Sequence, residues 1–507
     1  MSKQQGKVII LGAGPGDPGL LTLKGKEWIE KADVIIYDYL ANKRFLDYTR
    51  VNAEKIFVGK KKGDHTLSQE QINELMLKTA KEGKLVVRLK GGDPFIFGRG
   101  GEEAEELVNA GIAFEIVPGV TAATAVPAHA GIPLTHRNLT STIAFVTGHE
   151  NPEKEHSKIA WDKISTGIGT LVFFMGVINL PNIVKNLINN GRDKKTPVAI
   201  IRWGTTHMQE TVIGTLENIV ELAKKRQIKP PSIIVVGDVV RLNEKLNWFE
   251  TKPLFKKQII VTRAHGQSSD FSNLLEKKGA CPVQFPTIET VPPDSWEALD
   301  RAIQNVEMYD WLVFTSVNGV KYFLLRIKEN QKDVRCLKGI KLCAIGPKTA
   351  EVLEKLGLRI DFVPTEYKAE GIIEGLGSNK VKGKKILIPR AAVAREVLPE
   401  ELVKLGATVD VVEAYKTIQP KRKTGEFREM LKNKEVHVIT FTSSSTVTNF
   451  ISMFNKEEIS DLLNGVTIAC IGPITAKTAE KNGLKVSIIP EKYTVEAFTD
   501  AIVDFYQ

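Results

Sequence analysis

Short runs of apolar residues alternate with stretches of helical periodicity along the first half of the chain. Val8–Leu11, Val34–Tyr37 and Leu85–Leu89 have the length and composition of buried β-strands. Ser68–Gln71 has the form of a capping box, apolar residues follow it with a 3.6-residue period, and Gly83 supplies a stop, so this segment is predicted to be a helix. Strands that alternate with helices in this way predict an α/β fold with a largely parallel sheet.

The second half of the chain repeats itself at an offset of about 127 residues. Four segments recur in the same order: Ile260–Arg263 as Leu387–Arg390, Val313–Ser316 as Thr440–Ser443, Ala344–Ala350 as Cys470–Ala476, and Phe362–Pro364 as Ile488–Pro490. A solenoid has units of about 20–50 residues, so this period instead predicts two related α/β units with a ligand cleft between them. Asn247–Lys257, where proline and charges interrupt the periodicity, is predicted to link the two halves.

Composition narrows the class of protein. The chain has 507 residues, which is too long for one core, and it is 42% hydrophobic and 26% charged, as globular proteins are. No apolar run is long enough to span a bilayer, the first residues lack a secretory signal, and four cysteines form no CxxC. We therefore expect a cytoplasmic protein with reduced thiols, no metal and no membrane partner.

Charge points to an anionic ligand. The net charge is +10, and it comes from dispersed lysines and arginines without interleaved aromatic residues. A polycarboxylate small molecule fits this pattern at least as well as nucleic acid does, so no nucleic-acid partner is expected.

Two glycine-rich turns, in Leu11–Lys24 and Arg88–Glu103, follow apolar strands. Glycine lets the backbone approach a ligand without a clash at Cβ. The first turn differs from a dinucleotide-binding fingerprint, because Asp17 stands where that motif requires its third glycine. A nicotinamide-dependent dehydrogenase is therefore disfavoured.

Taken together, the two turns resemble those of the S-adenosylmethionine-dependent tetrapyrrole methyltransferases, most closely the uroporphyrinogen-III C-methyltransferases. The resemblance implies a two-subdomain methyltransferase fold over 1–250, with the cofactor held between the subdomains, and a homodimer formed through this domain. It places S-adenosylmethionine against Pro15, Gly91, Gly92, Asp93, Ile96, Thr121, Ala122, Met175 and Gly204. For Ile96 and Met175, ordinary core packing is the alternative interpretation.

The same resemblance implies the chemistry of the first half. Uroporphyrinogen III would receive two methyl groups, giving precorrin-2 and S-adenosylhomocysteine. Asp38 matches the proposed proton acceptor and Lys60 the proposed donor; the alternatives are a strand-end cap and a solvated lysine. The substrate has eight carboxylates, and the arginines in matched motifs are its candidate partners. They are Arg88, Arg99 and Arg137.

The repeated half, 256–507, resembles the uroporphyrinogen-III synthases. That implies two α/β lobes joined by strand-like linkers, one lobe formed by 256–287 with 418–507 and the other by 292–412. The reaction implied is closure of hydroxymethylbilane to uroporphyrinogen III with inversion of ring D. Tyr415 is the candidate acid, with a hydroxyl that caps a local turn as the alternative.

Strand-to-helix turns of the repeated half carry hydroxyl groups and Gly-Pro pairs. Their amides are candidate sites for the substrate's carboxylates, and plain N-capping is the alternative. They lie at Ser316, Ser443, Gly346 and Gly472.

The two halves together predict a bifunctional enzyme of consecutive steps on the way to sirohaem or cobalamin. One alternative is an active methyltransferase fused to a non-catalytic, tetrapyrrole-binding regulatory module. Another is a methyltransferase that acts on a later corrinoid or on a protein side chain.

Overall fold

The structure is a computed structural model, and it describes residues 6–59, 67–149, 159–263, 269–392, 396–420 and 424–507. The chain divides into two compact units. Unit one comprises Met1–Lys257 with Lys278–Cys281, and unit two comprises Gln258–Lys277 with Pro282–Gln507. Across these described ranges, no helix is both long enough and apolar enough to cross a membrane.

The first subdomain of unit one is a five-stranded parallel sheet with helices on both faces. Its strands, in spatial order, are β3 (Glu54–Phe57), β2 (Val34–Tyr37), β4 (Leu85–Lys90), β1 (Lys7–Gly12) and β5 (Ala113–Val117). Its helices are α1 (Leu23–Lys31), α2 (Gln69–Lys81) and α3 (Gly100–Asn109). The predicted capping box at Ser68 is present, and Gly83 follows the end of α2 with a φ of 87°. The predicted strands and helix are confirmed here, since apolar strands buried on both faces suit a parallel sheet.

The second subdomain of unit one contains a mixed sheet. Its strands, in spatial order, are β6 (Ile143–Thr147), β7 (Thr170–Phe174), β10 (Ser232–Val236), β8 (Pro197–Arg202) and β9 (Glu210–Thr215). Its helices are α4 (Ala122–His129), α5 (Trp161–Gly167), α6 (Leu180–Asn189), α7 (Ile219–Lys225) and α8 (Asn243–Leu246). β10 runs antiparallel to both of its neighbours, and β8 and β9 are antiparallel as well. The expectation of a largely parallel sheet is therefore wrong for this subdomain, because an apolar run does not encode strand direction.

The predicted linker, Asn247–Lys257, packs against unit one. The Glu250 carboxylate accepts hydrogen bonds from Gln209 Nε2 at 2.9 Å and from Thr211 Oγ1 at 2.6 Å. Leu254 is fully buried. The first stretch of unit one ends at Lys257, the last residue of this segment, and tertiary hydrogen bonds hold the segment although it has no periodicity of its own.

Unit two contains two further five-stranded sheets. One consists, in spatial order, of β12 (Cys281–Gln284), β11 (Gln258–Val261), β18 (Val438–Phe441), β19 (Thr467–Cys470) and β20 (Val486–Ile488). The other consists of β13 (Glu289–Val291), β17 (Thr408–Ile418), β16 (Lys385–Ala391), β14 (Trp311–Phe314) and β15 (Lys341–Ala344). The helices are α9 (Ser269–Lys277), α10 (Glu297–Gln304), α11 (Val317–Glu329), α12 (Pro347–Glu354), α13 (Ala369–Val381), α14 (Val397–Lys404), α15 (Gly425–Lys432), α16 (Ser444–Ser452), α17 (Lys456–Leu462), α18 (Pro473–Lys481) and α19 (Val495–Tyr506).

The sequence repeat is visible in the topology of these two sheets. The order β12-β11-β18-β19 in one sheet has its counterpart in β17-β16-β14-β15 of the other. The chain leaves the first sheet after β12 and returns to it with β18. On the way out, β13 pairs antiparallel with the end of β17, with Glu289 opposite Ile418 and Val291 opposite Lys416. The predicted pair of related α/β lobes is confirmed.

Candidate functional site

Loops from both subdomains of unit one meet at the carboxyl ends of their strands. We call residues 13–17, 91–99, 118–122, 174–176 and 203–206 the loop cluster. Five of the nine non-glycine residues with positive φ that the described ranges contain lie in it. They are Phe97, Arg99, Met175, Trp203 and Thr205. Such backbone conformations cost free energy and concentrate at functional sites, so the loop cluster is the candidate site of unit one.

Backbone contacts join the two glycine-rich turns. The Gly14 N–H donates to the Gly92 carbonyl at 3.1 Å, and the Gly92 N–H donates back to the Gly14 carbonyl at 2.7 Å. A Cβ on Gly12 would lie 2.5 Å from the nitrogen of Gly119, and a Cβ on Gly119 would lie 2.2 Å from the oxygen of Gly92. The turns after β1, β4 and β5 can approach each other this closely only because glycine occupies positions 12 and 119.

The Asp93 carboxylate links the turn after β4 to the turn after β5. Its Oδ1 accepts from the Phe95 N–H at 2.8 Å, and its Oδ2 accepts from the Gly119 N–H at 3.1 Å. Thr121 is the N-cap of α4, so Ala122 begins that helix. The structure thus brings five of the predicted cofactor-binding residues together, since Gly91 and Gly92 precede Asp93 directly.

The loop after β8 contacts the first turn and α4. The Asp17 N–H donates to Thr205 Oγ1 at 3.1 Å. A Cβ on Gly204 would lie 2.4 Å from Val126 Cγ1, and one on Gly16 would lie 2.9 Å from the Thr206 side chain. Gly204 therefore belongs to the second subdomain and Pro15 to the first, but their loops are in contact within the loop cluster.

Met175 and Ile96 occupy the two remaining loops. Met175 follows β7 with a φ of 53°, and its side chain is 52% exposed, so it does not belong to the core. The preceding Phe174 ring lies 5.1 Å from the ring of Phe97, the neighbour of the half-buried Ile96. All nine predicted cofactor-binding residues thus belong to the loop cluster.

Asp38 is a strand-end cap and also faces a cation. Its Oδ1 accepts from the Leu40 and Ala41 N–H groups at 3.0 and 3.2 Å, while its Oδ2 lies 3.8 Å from Arg88 Nη2. The side chain is 28% exposed. Lys60, its predicted partner in proton transfer, lies outside the described residues.

Arg88 is not available to a substrate carboxylate, contrary to expectation. Its side chain is 4% exposed, and its Nε donates to Glu103 Oε1 at 3.1 Å. Lys90 Nζ donates to the same oxygen at 2.8 Å, and burial, together with the charge of Arg88, lowers the pKa of Lys90. Sequence reasoning missed Lys90 and Glu103. A local signal existed for Lys90 only: Arg88 and Lys90 alternate on an apolar strand and so point to the same face.

The other two candidate arginines lie at the surface. Arg99 precedes α3 and pairs with Glu102 at 2.6 Å, where both side chains are more than half exposed. Arg137 is exposed as well. Both therefore remain candidates for contact with an anionic ligand.

Tyr415 of unit two is held by a helix cap. It is 8% exposed, its hydroxyl lies 3.0 Å from Ser316 Oγ, and its ring stacks on Tyr322 at 5.8 Å. Ser316 caps α11 by accepting from the Gly319 N–H at 3.0 Å. The hydroxyl of Tyr415 thus hydrogen-bonds to Ser316, the N-cap residue of α11, and does not itself cap a local turn.

The N-capping interpretation holds for the serines of both lobes. Ser443 caps α16 as part of a capping box, and Ser316 caps α11 through its side-chain oxygen alone. The equivalent turns before α12 and α18 have glycine caps with proline next, and an exposed tyrosine lies against each glycine. These symmetric tyrosines are Tyr367 and Tyr493.

Comparison with known proteins identifies both units. The family model of tetrapyrrole (corrin/porphyrin) methylases matches residues 7–220, and that of uroporphyrinogen-III synthase HemD matches residues 269–500. A porphyrin biosynthesis protein HemD of Ruminiclostridium josui is 38% identical over 501 residues, which is 99% of this chain and 98% of that protein. The chain is a fusion of the tetrapyrrole methylase and uroporphyrinogen-III synthase families. We therefore call unit one the methylase unit and unit two the synthase unit.

Two further relatives match the methylase unit alone. An S-adenosyl-L-methionine-dependent uroporphyrinogen III methyltransferase of Methanosarcina barkeri is 54% identical over 246 residues, covering 48% of this chain and 96% of that protein. A uroporphyrin-III C-methyl transferase from Thermus thermophilus, solved in complex with S-adenosylhomocysteine, is 39% identical. It covers 47% of this chain and 100% of its own, with a TM-score of 0.40. Both resemblances stated from the sequence are confirmed at the level of family.

Proposed function

We propose that this chain performs two consecutive steps of tetrapyrrole synthesis. The synthase unit closes hydroxymethylbilane to uroporphyrinogen III with inversion of ring D. The methylase unit then transfers two methyl groups to that product and yields precorrin-2. The observation that carries the proposal is that the models of both families match this one chain, and a porphyrin biosynthesis protein aligns with 99% of it. The alternative of a non-catalytic regulatory module has no support from these relatives.

The loop cluster fits a sulfonium nucleoside. S-adenosylmethionine supplies the electrophilic methyl group, and S-adenosylhomocysteine remains after transfer. The backbone at Gly92, the first amide of α4 at Ala122 and the exposed side chain of Met175 would line the nucleoside, since a Cβ on Gly92 would lie 3.9 Å from the Ala122 nitrogen. Loops from both subdomains would hold the methyl donor in line with the substrate carbon, and such orientation can supply several kcal/mol of a barrier.

Asp38 is proposed to accept the proton that leaves the methylated ring. A pyrrole β-carbon that gains a methyl group becomes cationic and must lose a proton, and a positioned carboxylate typically contributes about 10²–10⁴-fold. Oδ1 of Asp38 is used by the backbone of its turn, whereas Oδ2 faces Arg88 and is left for chemistry. Lys60 remains the proposed proton donor.

Tyr415 is proposed to assist departure of the hydroxyl group from hydroxymethylbilane. Ser316 Oγ already accepts from the Gly319 N–H, so its own proton is free to go to the Tyr415 oxygen. The phenol proton of Tyr415 is then available to the leaving hydroxyl. Amides at the helix starts of both lobes are proposed to hold acetate and propionate groups.

The remaining assignments are also proposals. We place the methyltransferase domain at 1–250 and the synthase domain at 256–507, with lobes of 256–287 plus 418–507 and of 292–412. We propose a cytoplasmic homodimer formed through the methylase unit, which uses no metal and binds neither nucleic acid nor membrane. The described residues contain no cluster of three potential metal-ligating side chains.

Methyl transfer is tested with purified chain, uroporphyrinogen III and S-adenosylmethionine, followed by mass spectrometry. We expect a product that has gained two methyl groups. Asp38→Asn should reduce the rate by about 10²-fold or more, while binding of S-adenosylhomocysteine stays within about twofold. A product without added methyl groups would exclude the proposed activity of the methylase unit.

A further inference from the structure

A buried cluster of charges lies beside Asp38, between β4 and the helices α2 and α3. One carboxylate oxygen, Glu103 Oε1, accepts from three side chains: Arg88 Nε at 3.1 Å, Lys90 Nζ at 2.8 Å and Gln69 Nε2 at 3.1 Å. Glu103 is fully buried, and its second oxygen has no hydrogen-bond partner among the residues that the structure describes. Burial of this many charged groups is costly, so the cluster needs a reason beyond packing.

The charges of the cluster do not balance until Asp38 is included. Two buried cations, Arg88 and Lys90, share the single buried carboxylate of Glu103. The second negative charge is that of Asp38, whose Oδ2 lies 3.8 Å from Arg88 Nη2. The guanidinium therefore bridges two carboxylates, the fully buried Glu103 and the 28% exposed Asp38. The residue after Asp38 is Tyr39, whose ring lies 6.0 Å from the ring of Trp203 in the loop cluster.

The geometry of Arg88 is set by Glu103. The Nε side of the guanidinium is fixed on Glu103 Oε1, and its Nη1 donates to the carbonyl oxygens of Leu89 and Ile36 at 3.3 and 3.5 Å. These contacts leave Nη2 directed at Asp38. A planar guanidinium held at both Nε and Nη1 presents Nη2 in a fixed orientation, which a lysine could not do.

We propose that Glu103 is a positioning residue for methyl transfer, acting on Asp38 through Arg88. Glu103 does not touch the substrate or the reacting atoms. It keeps Arg88 in place, and Arg88 in turn holds Asp38 Oδ2 as an oriented carboxylate at the end of β2. This inference rests on the proposed role of Asp38.

A double-mutant cycle in the full-length chain tests the inference. The variants are Asp38→Asn, Glu103→Gln and the double variant, and kcat for methylation of uroporphyrinogen III is measured alongside the KM for S-adenosylmethionine. Glu103→Gln should lower kcat about 10- to 100-fold, as expected when a reacting group is displaced by about 1 Å, with KM within about twofold. In the Asp38→Asn background, Glu103→Gln should lower kcat no further, because its effect passes through the missing carboxylate.

Controls separate positioning from a loss of stability. Glu106→Gln alters an exposed carboxylate one turn from Glu103 on α3, and we expect unchanged kcat. If Glu103→Gln does not fold, Arg88→Lys replaces it in the same cycle, because lysine keeps the positive charge but loses the bridging edge.

Two outcomes would overturn the inference in different ways. The first is that Glu103→Gln lowers kcat equally in the unmodified and the Asp38→Asn backgrounds, or does not lower it although Asp38→Asn does. Either result would exclude positioning by Glu103 while leaving the role of Asp38 intact. Full activity of Asp38→Asn would exclude both.

Discussion

Gly14 and Gly92 exchange two backbone hydrogen bonds, of 3.1 and 2.7 Å, although they lie in turns that follow different strands. Both have positive φ, 75° and 68°, which residues with a Cβ rarely adopt. The exchange joins the turns after β1 and β4 through the main chain alone. The geometry of the loop cluster should therefore respond to a single added methyl group.

Gly119→Ala tests this response. The new Cβ would lie 2.2 Å from the Gly92 oxygen and would push the turns apart. We expect binding of S-adenosylhomocysteine, measured by calorimetry, to weaken roughly tenfold or more, which is ~1.4 kcal/mol or more. Gly101→Ala is the matched control, since a Cβ there meets nothing within 4 Å and an alanine in α3 should add about 0.5–1 kcal/mol of stability. Equal binding by both variants would contradict the role assigned to the turns.

We expect Glu115 to make the stability of the methylase unit depend on pH. Hydrogen bonds from Lys24 at 2.6 Å and Lys7 at 2.7 Å lower the pKa of Glu115 from 4.5 to about 2. Because the pKa is lower in the folded state, the stabilisation is complete above about pH 4.5 and is lost as the pH falls towards 2.

Replacement of Glu115 by Gln should remove this stabilisation. In urea unfolding between about pH 2 and 6, the free energy of unfolding of Glu115→Gln should fall less steeply with decreasing pH than that of the unmodified chain. Glu105→Gln, at an exposed position on α3, should leave the slope unchanged. An unchanged slope for Glu115→Gln would show that these ion pairs do not form.

Tyr415→Phe should impair ring closure without unfolding the synthase unit. The stack on Tyr322 is kept, while the proton donor is removed. We expect the rate of uroporphyrinogen III formation to fall about 10²-fold, and the isomer that forms without an enzyme to accumulate. Tyr367→Phe, at an exposed tyrosine, is the control and should behave as the unmodified chain does. A normal isomer ratio with Tyr415→Phe would exclude Tyr415 as the acid.

Two cysteines of the synthase unit should resist alkylation. Burial raises the pKa of both Cys343 and Cys470 to about 12, so almost no thiolate forms at neutral pH. Cys281 and Cys336 are only half-buried and should account for the labelled thiols in the native chain. Mass spectrometry after maleimide treatment, with and without denaturant, checks this. Rapid labelling of Cys470 in the native protein would contradict its burial.

The sequence indicated the elements of the fold better than their directions. The apolar run Val34–Tyr37 is predicted to be a buried strand, and β2 has these same bounds. The antiparallel insertion of β10 between β7 and β8 is set by connections and neighbours, which a run of apolar residues does not specify. The packing of Glu250 likewise depends on partners from a distant hairpin.

In the candidate site, too, local features could be predicted from the sequence and non-local contacts could not. Turns that follow strands are local patterns, so the glycine turns at Gly14 and Gly92 could be identified from the sequence. The cluster around Glu103 could not, because it depends on Gln69, Arg88 and Lys90 from two other elements meeting at one oxygen. Arg88 was mispredicted as a substrate ligand for the same reason, since its buried pairing with Glu103 joins residues from different elements.

We propose that one chain carries out both ring closure and methyl transfer. The most direct measurement supplies hydroxymethylbilane and methyl-labelled S-adenosylmethionine to the purified chain and follows the products by chromatography and mass spectrometry. Without the methyl donor we expect the inverted isomer uroporphyrinogen III to form, and with the donor we expect a dimethylated product to replace that isomer. Formation of the uninverted isomer alone, or uroporphyrinogen III that never gains label, would contradict this proposal.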